Sequence, residues 1–290
     1  MVRIHFDMET QDPDDVMTLA ILATHPHVEL VGVTITPGAP DQVGLVKYVL
    51  YHLLNKDGVP VGANPHRWKP AVSAFHDKWI GRFFAAAHIT SAELLEASAA
   101  KGATLLTGAP LKNLEGLPHF QRWVAQGGFA GDSIVPPEYR LSKFEGRETC
   151  PTFNFGGAPK IAEAMLASPH IGEKILVGKN VCHGIAWDQG FHERVKAVPN
   201  KTAGLELVLK GMELYLDNKP EGKKLHDPLA MAVAIDREVC EFRHVEMYRK
   251  KGEWGARLHS DLGSFNPDCD VQIAIRADRE RFFQVLTASI

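Results

Sequence analysis

At 290 residues, with 45% hydrophobic and 23% charged side chains, the chain has an ordinary globular composition and enough length to bury one substantial core, which excludes disordered and fibrous architectures. A net charge of −3 gives no broad field to attract nucleic acid or an anionic membrane, so a small, locally recognised substrate fits better. No apolar run reaches the ~20 residues that span a bilayer, no signal-peptide core follows Met1, and Cys150, Cys182, Cys240 and Cys269 lack any C-x-x-C pairing, so the expectation is a cytoplasmic protein with reduced, mostly buried cysteines.

Ile4, Phe6 and Met8 alternate with polar neighbours and predict a first strand. After Pro13-Asp14-Asp15, the apolar positions of residues 16–22 suit a helix, and residues 28–35 read as a second strand ended by Pro37-Gly38. That β-α-β unit buries parallel strands under helices and places chemistry-bearing loops at the strands' carboxyl ends. Further strands are expected at residues 103–106, 174–177 and 271–275, with helices around 160–167, 203–215 and 228–235. The expected fold class is α/β, a Rossmann-like, open, mostly parallel sheet flanked by helices. A single domain over residues 1–290 is expected, without internal repeat or linker. Residues 127–157, rich in Gly, Pro and charge, form a candidate lid or insertion.

Five acidic residues, Asp7, Glu9, Asp12, Asp14 and Asp15, fall between the first strand and the first helix. One or two would be routine, because carboxylates accept helix N-terminal amide bonds and complement the helix dipole. Five exceed what a cap uses, and like charges this close raise one another's pKa unless a cation neutralises them. Hard oxygen ligands of this kind favour Ca²⁺ or, second, Mg²⁺. Another acidic fragment, Leu225-His226-Asp227-Pro228-Leu229-Ala230, opens a later helix, where Asp227 alone would read as a cap. Beside the first cluster, His226 and Asp227 become an acid and a metal ligand.

These two segments resemble the nucleoside hydrolase family, whose signatures read D-x-D-P-G-x-D-D and H-D-P-L. In the right order, residues 107–114 resemble its T-G-P-L-T-N-L turn, Phe153-Asn154 with Ala158-Pro159 resembles E-F-N-x-x-x-D-P, and residues 278–283 resemble its closing helix. The likeness covers essentially the whole chain. It implies metal-dependent hydrolysis of the N-glycosidic bond of a nucleoside or related N-riboside, feeding purine or pyrimidine salvage, in a homodimer or homotetramer. It implies Asp15, Asp227 and the main-chain carbonyl of Thr107 as calcium ligands, and Asp14 as the group that orients and deprotonates water next to the substrate. Asn154 would bind the sugar and His226 would act as leaving-group acid, a task suited to an unperturbed pKa near ~6.5. His76 falls near a region that borders the base, and Trp79, Tyr139, Phe144 or Trp187 are stacking candidates.

The first signature carries one extra residue, so Glu9 stands where the family has its first Asp ligand and Asp12 is an additional carboxylate; both are candidate ligands. Thr152 replaces a family Glu at a substrate-binding position, and Gly38-Ala39 and Gly131-Asp132 replace further ribose contacts. Residues 139–148 are longer and more basic than the family's connection, and their Arg and Lys side chains are of the kind that reach a phosphate or carboxylate. Two competing functions differ in class. A non-catalytic calcium and ribose binder would account for the altered contacts, and a haloacid-dehalogenase-like phosphatase would use Asp7 as nucleophile but lacks its downstream G-D-x-x-x-D motif.

Overall fold

The computed structural model describes residues 1–64, 72–116, 118–259 and 270–289; Cys269 lies outside them. Its strands are β1 (Val2–Met8), β2 (Val28–Ile35), β3 (Val61–Ala63), β4 (Thr104–Thr107), β5 (Phe120–Gln126), β6 (Thr149–Cys150), β7 (Ile171–Val177), β8 (Ala186–Trp187), β9 (Lys223–Lys224), β10 (Cys240–Lys250), β11 (Glu253–Leu258) and β12 (Val271–Ala277). Ten of them form one sheet in the order β3-β2-β1-β4-β5-β7-β12-β10-β11-β6, while β8 and β9 pair separately. Pairing is parallel from β3 through β12 and antiparallel from β12 to β6, so the expected α/β fold is present with an antiparallel edge.

The alternation in β1 has an unusual consequence. Ile4, Phe6 and Met8 fill one face, yet His5 and Asp7 on the other face are equally buried, because helices cover both sides. Polar groups enclosed this way must find partners. Thr34 donates its hydroxyl hydrogen to Asp7 Oδ1 at 2.6 Å, so His5 Nε2 is the donor in its 3.0 Å contact with Thr34, and His5 Nδ1 accepts from Ser98 at 2.8 Å. Burial holds the His5 pKa at about 3, which keeps that imidazole neutral.

The helices Pro13–Thr24, Ala203–Leu216, Asp227–Ile235 and Arg279–Thr287 share one core with Phe6, Met8, Leu19, Val208, Leu229 and Phe282. On the other face, Ser91–Ala100 and Pro159–Leu166, the latter through Met165, cover Leu105, Trp123 and Ile273. Each such large apolar side chain contributes about 1.5–3 kcal/mol by leaving water. Strand order reverses at β1, with β2 and β3 on one side and β4 onward on the other. Such a switch point opens a crevice at the strands' carboxyl ends.

Residues 127–157 are tied to the sheet edge. β6 pairs with β11, Phe129 and Phe144 pack with Cys150, and Arg140 donates to the carbonyls of Val135 and Asp132 at 2.9 and 2.6 Å. Cys150, Cys182 and Cys240 are buried and free. Among the described residues no helix is long and apolar enough to cross a membrane.

Candidate active site

Three strand ends converge on a cavity of about 290 Å³. The turn after β1 brings Glu9, Asp12, Asp14 and Asp15, the residue after β4 is Gly108, and β5 ends at Gln126; Asn154, His226 and Asp227 close the remaining wall. Gly108 is required by space, since a Cβ there would lie 2.7 Å from the Asp227 carboxylate. Asp12 precedes the helix Pro13–Thr24 without making a side-chain cap, and Asp227 opens its own helix without one, so neither acidic group is spent on capping.

Asp14 is the most elaborately held. Its Oδ2 accepts the backbone N–H groups of His226 at 3.0 Å and Asp227 at 3.4 Å, and its Oδ1 meets the Lys223 ammonium at 3.1 Å. Lys223 also reaches Asp12 Oδ1 at 2.9 Å. Burial alone would raise the Asp14 pKa, but Lys223 and His226 outweigh it and carry it below the ordinary value. In return, Asp14 and Asp12 more than offset the burial of Lys223 and push its pKa up.

Asp15 and Asp227 are treated differently. Asp15 Oδ1 accepts the Glu9 N–H at 2.9 Å, yet among the described residues no cation lies within ion-pair distance of Asp15, Asp227 or Glu9. Burial first, and then mutual repulsion, push both aspartates well above the usual carboxylate range and carry Glu9 to about 8. Asp12 rises to about 6 through burial and the Asp14 charge, against the pull of Lys223. Carboxylate oxygens of Asp14, Asp15 and Asp227 lie within 4.8 Å of one another, as do ligand atoms of Asp12, Asp14 and His226. The inner set, all buried oxygen and short of positive charge, fits a hard divalent cation. Lys223 already places an ammonium on the outer set.

His226 Nδ1 is 3.6 Å from Asp14 Oδ2, and its buried Nε2 has no hydrogen-bond partner among the described residues. Burial lowers its pKa despite Asp14. Asn154 donates to Gln126 Oε1 at 2.8 Å and to the Gln126 carbonyl at 3.1 Å. Thr107 ends β4 next to Gly108, its hydroxyl accepting from Trp123 Nε1 at 3.0 Å. Three anticipated residues, Thr107, His76 and Thr152, stand apart from the cavity lining: His76 is buried against Phe75 and Trp79, and the Thr152 hydroxyl is buried without a partner among the described residues. Of the stacking candidates, Trp79 and Trp187 belong to the core, whereas Phe144 meets the His183 ring edge-on at 5.1 Å. Asp7 is wholly enclosed, with Oδ1 accepting from Thr34 and Asn113, and takes no part in the lining.

Lys223, Gln126 and Gly108 were not marked by the sequence reading. Lys223 had a faint signal, three positions before His226, but Lys-Lys beside a turn reads as solvated until the fold places it against Asp14, more than two hundred residues away.

The sequence profile of the inosine-uridine preferring nucleoside hydrolases matches residues 4–284. Among solved structures, the chain is similar to a plant nucleoside hydrolase at 17% identity and a TM-score of 0.74, covering 99% of this chain and 98% of that one. It is similar to an inosine-uridine preferring nucleoside hydrolase from Bacillus anthracis at 17% identity and a TM-score of 0.70, with the same coverages. A purine-preferring ribonucleoside hydrolase from Gardnerella vaginalis gives 18% identity and 0.67, covering 98% and 96%. No curated protein matches.

Proposed function

The chain belongs to the inosine-uridine preferring nucleoside hydrolase family, enzymes that hydrolyse the N-glycosidic bond of nucleosides, and from that premise we propose that the acidic cavity is its active site and Ca²⁺ its resident ion. One observation carries the reading: Asp14, Asp15 and Asp227 are buried together, and among the described residues only Asp14 of the three is matched by a cation of the protein's own. Asp15 and Asp227 would hold the ion, with the Thr107 carbonyl and Glu9 completing the set. Asp12 is the weaker ligand candidate because Lys223 engages it. When bound, the cation acidifies water and grips vicinal sugar hydroxyls.

Cleavage passes through an oxocarbenium-like sugar, so the site must stabilise positive charge on one face and deliver water. The carboxylates supply the first. Asp14, kept anionic by Lys223 and two backbone amides, orients the water and receives its proton on a carboxylate oxygen. Asn154, fixed by Gln126, presents its amide to the sugar from the opposite wall. His226, with Nδ1 toward the Asp14 carboxylate, offers its Nε2 to the departing base, and its protonated form donates a proton there. The freed base would then enter salvage.

The test is release of base and reducing sugar from a nucleoside panel, with calcium and with chelator. Calcium-dependent release that is lost in Asp14→Asn supports the assignment; full activity in that variant, or in chelator, overturns it.

A further inference from the structure

A second cavity, of about 430 Å³, lies behind the first, lined by His183, Lys224, Arg194 and Arg279 among apolar side chains that include Leu141. β9 separates the two. Consecutive residues of a strand project to opposite faces, and here Lys223 reaches Asp12 and Asp14 while Lys224 lines the second cavity. The cavities meet at two imidazoles, His226 from the acidic side and His183 from the basic side, whose ring centroids are 5.3 Å apart. At that separation the two rings are in contact and form the shared edge of the cavities.

The charges in this cavity are unequal. Its one lining carboxylate, Asp188, is engaged as a helix cap for the Phe191 N–H at 2.8 Å, and Arg194 is bound to Glu280 at 2.7 Å. Among the described residues no carboxylate is within ion-pair distance of Lys224 or Arg279. Lys143, from the basic stretch 139–148, contacts His183 Nδ1 at 3.3 Å. A lysine ammonium can only donate, so Nδ1 accepts and Nε2 of that neutral ring carries the hydrogen. Burial first, then the neighbouring positive groups, hold the His183 pKa at about 4.

We propose that this basic cavity binds an anionic group of the substrate, a carboxylate or phosphate carried past His226, so that the enzyme prefers charged N-ribosides to neutral nucleosides. The proposal rests on the active-site assignment above, because His226 marks the leaving-group side. Two free cations and an imidazole N–H suit a planar carboxylate on the heterocycle or a phosphate on the sugar.

Matched pairs decide between these sources: uridine against orotidine, which adds one carboxylate to the base, and uridine or inosine against its 5′-monophosphate. We expect kcat/KM to favour one anionic partner by at least tenfold. The preference should fall at least tenfold in the double variant Lys224→Gln/Arg279→Gln and persist in Arg3→Gln, at the far end of β1. Preference for orotidine identifies the carboxylate, and preference for the monophosphates identifies the phosphate. Equal or better turnover of the neutral partners, or a preference that survives the double variant, overturns the proposal. If no N-riboside is hydrolysed, the active-site reading fails separately, and calorimetric binding of the same pairs to the wild-type and doubly substituted proteins judges the basic cavity by the same ratios.

Discussion

The two ends of the acidic cavity handle buried charge in opposite ways. At the outer end, Asp12 and Asp14 share the Lys223 ammonium, and two backbone amides complete Asp14. At the inner end, Asp15 and Asp227 are as deeply buried but, among the described residues, have no cation, only the Glu9 amide on Asp15 and the hydrogen bond between the two carboxyls for relief. A buried carboxylate without a partner is costly, and a pair of them more so. On the proposed reading the difference separates two tasks: the protein supplies its own cation where a carboxylate would have to stay anionic and fixed, and leaves positive charge to be brought in where an ion would bind.

Three substitutions would break that division. Asp14→Asn removes the proton acceptor while keeping shape, and kcat should fall on the order of 10³-fold, within the range attributed to positioned general bases. Calcium binding, measured by calorimetry, should survive; its loss would make Asp14 a ligand first. Asp227→Asn should act on the ion instead, weakening calcium by more than the roughly 10–100-fold that loss of an outer-shell partner costs. Lys223→Met should lower kcat by on the order of tenfold, the scale of one charge-assisted hydrogen bond. It should also move the acid limb of the rate profile to higher pH, because the burial that raises the Asp14 pKa is then opposed only by His226, Asp12 and the two amides. An unmoved profile would reduce Lys223 to packing.

How much of this was legible in the sequence follows from how local each signal is. The opening β-α-β unit was readable because β1, the first helix and β2 carry unbroken apolar periodicity, and the carboxylates sit in short segments at element ends, whereas the parallel strands β3 and β5 were not marked. The antiparallel edge was not anticipated. β10 alternates only weakly, since much of it faces solvent and carries ion pairs such as Glu246–Arg257 and Glu241–Arg276 in place of an apolar stripe. Its hairpin turn, Lys251-Gly252, has both residues at positive φ without the Asn-Gly or Asp-Gly that usually announces one. Within the site, residues that act from their own segment were marked, whereas Lys223 and Gln126 acquire meaning only through partners brought by the fold.

The smallest effect is the most discriminating, because it reads the inner end without turnover. Between pH 7 and 9 Asp12, at about 6, and Asp14, held below its ordinary value by Lys223 against its burial, are ionised in both folded and unfolded chains. Glu9, carried to about 8 by burial and by Asp12 and Asp14, still binds protons in this interval when folded, and Asp15 and Asp227 are shifted in the same direction, whereas unfolded carboxyls near ~4 bind none. A carboxyl whose folded pKa is raised gives stability that is lost as pH climbs through that value. The Tm of metal-free protein should therefore drop by several degrees from pH 7 to 9, each retained proton being worth about 1.4 kcal/mol per pH unit. Saturating calcium, which supplies the missing charge, should flatten that slope, and Asp227→Asn should reduce it without calcium. A metal-free Tm that holds steady or rises over this interval would mean that the inner carboxylates are already compensated, and the contrast between the two ends would collapse.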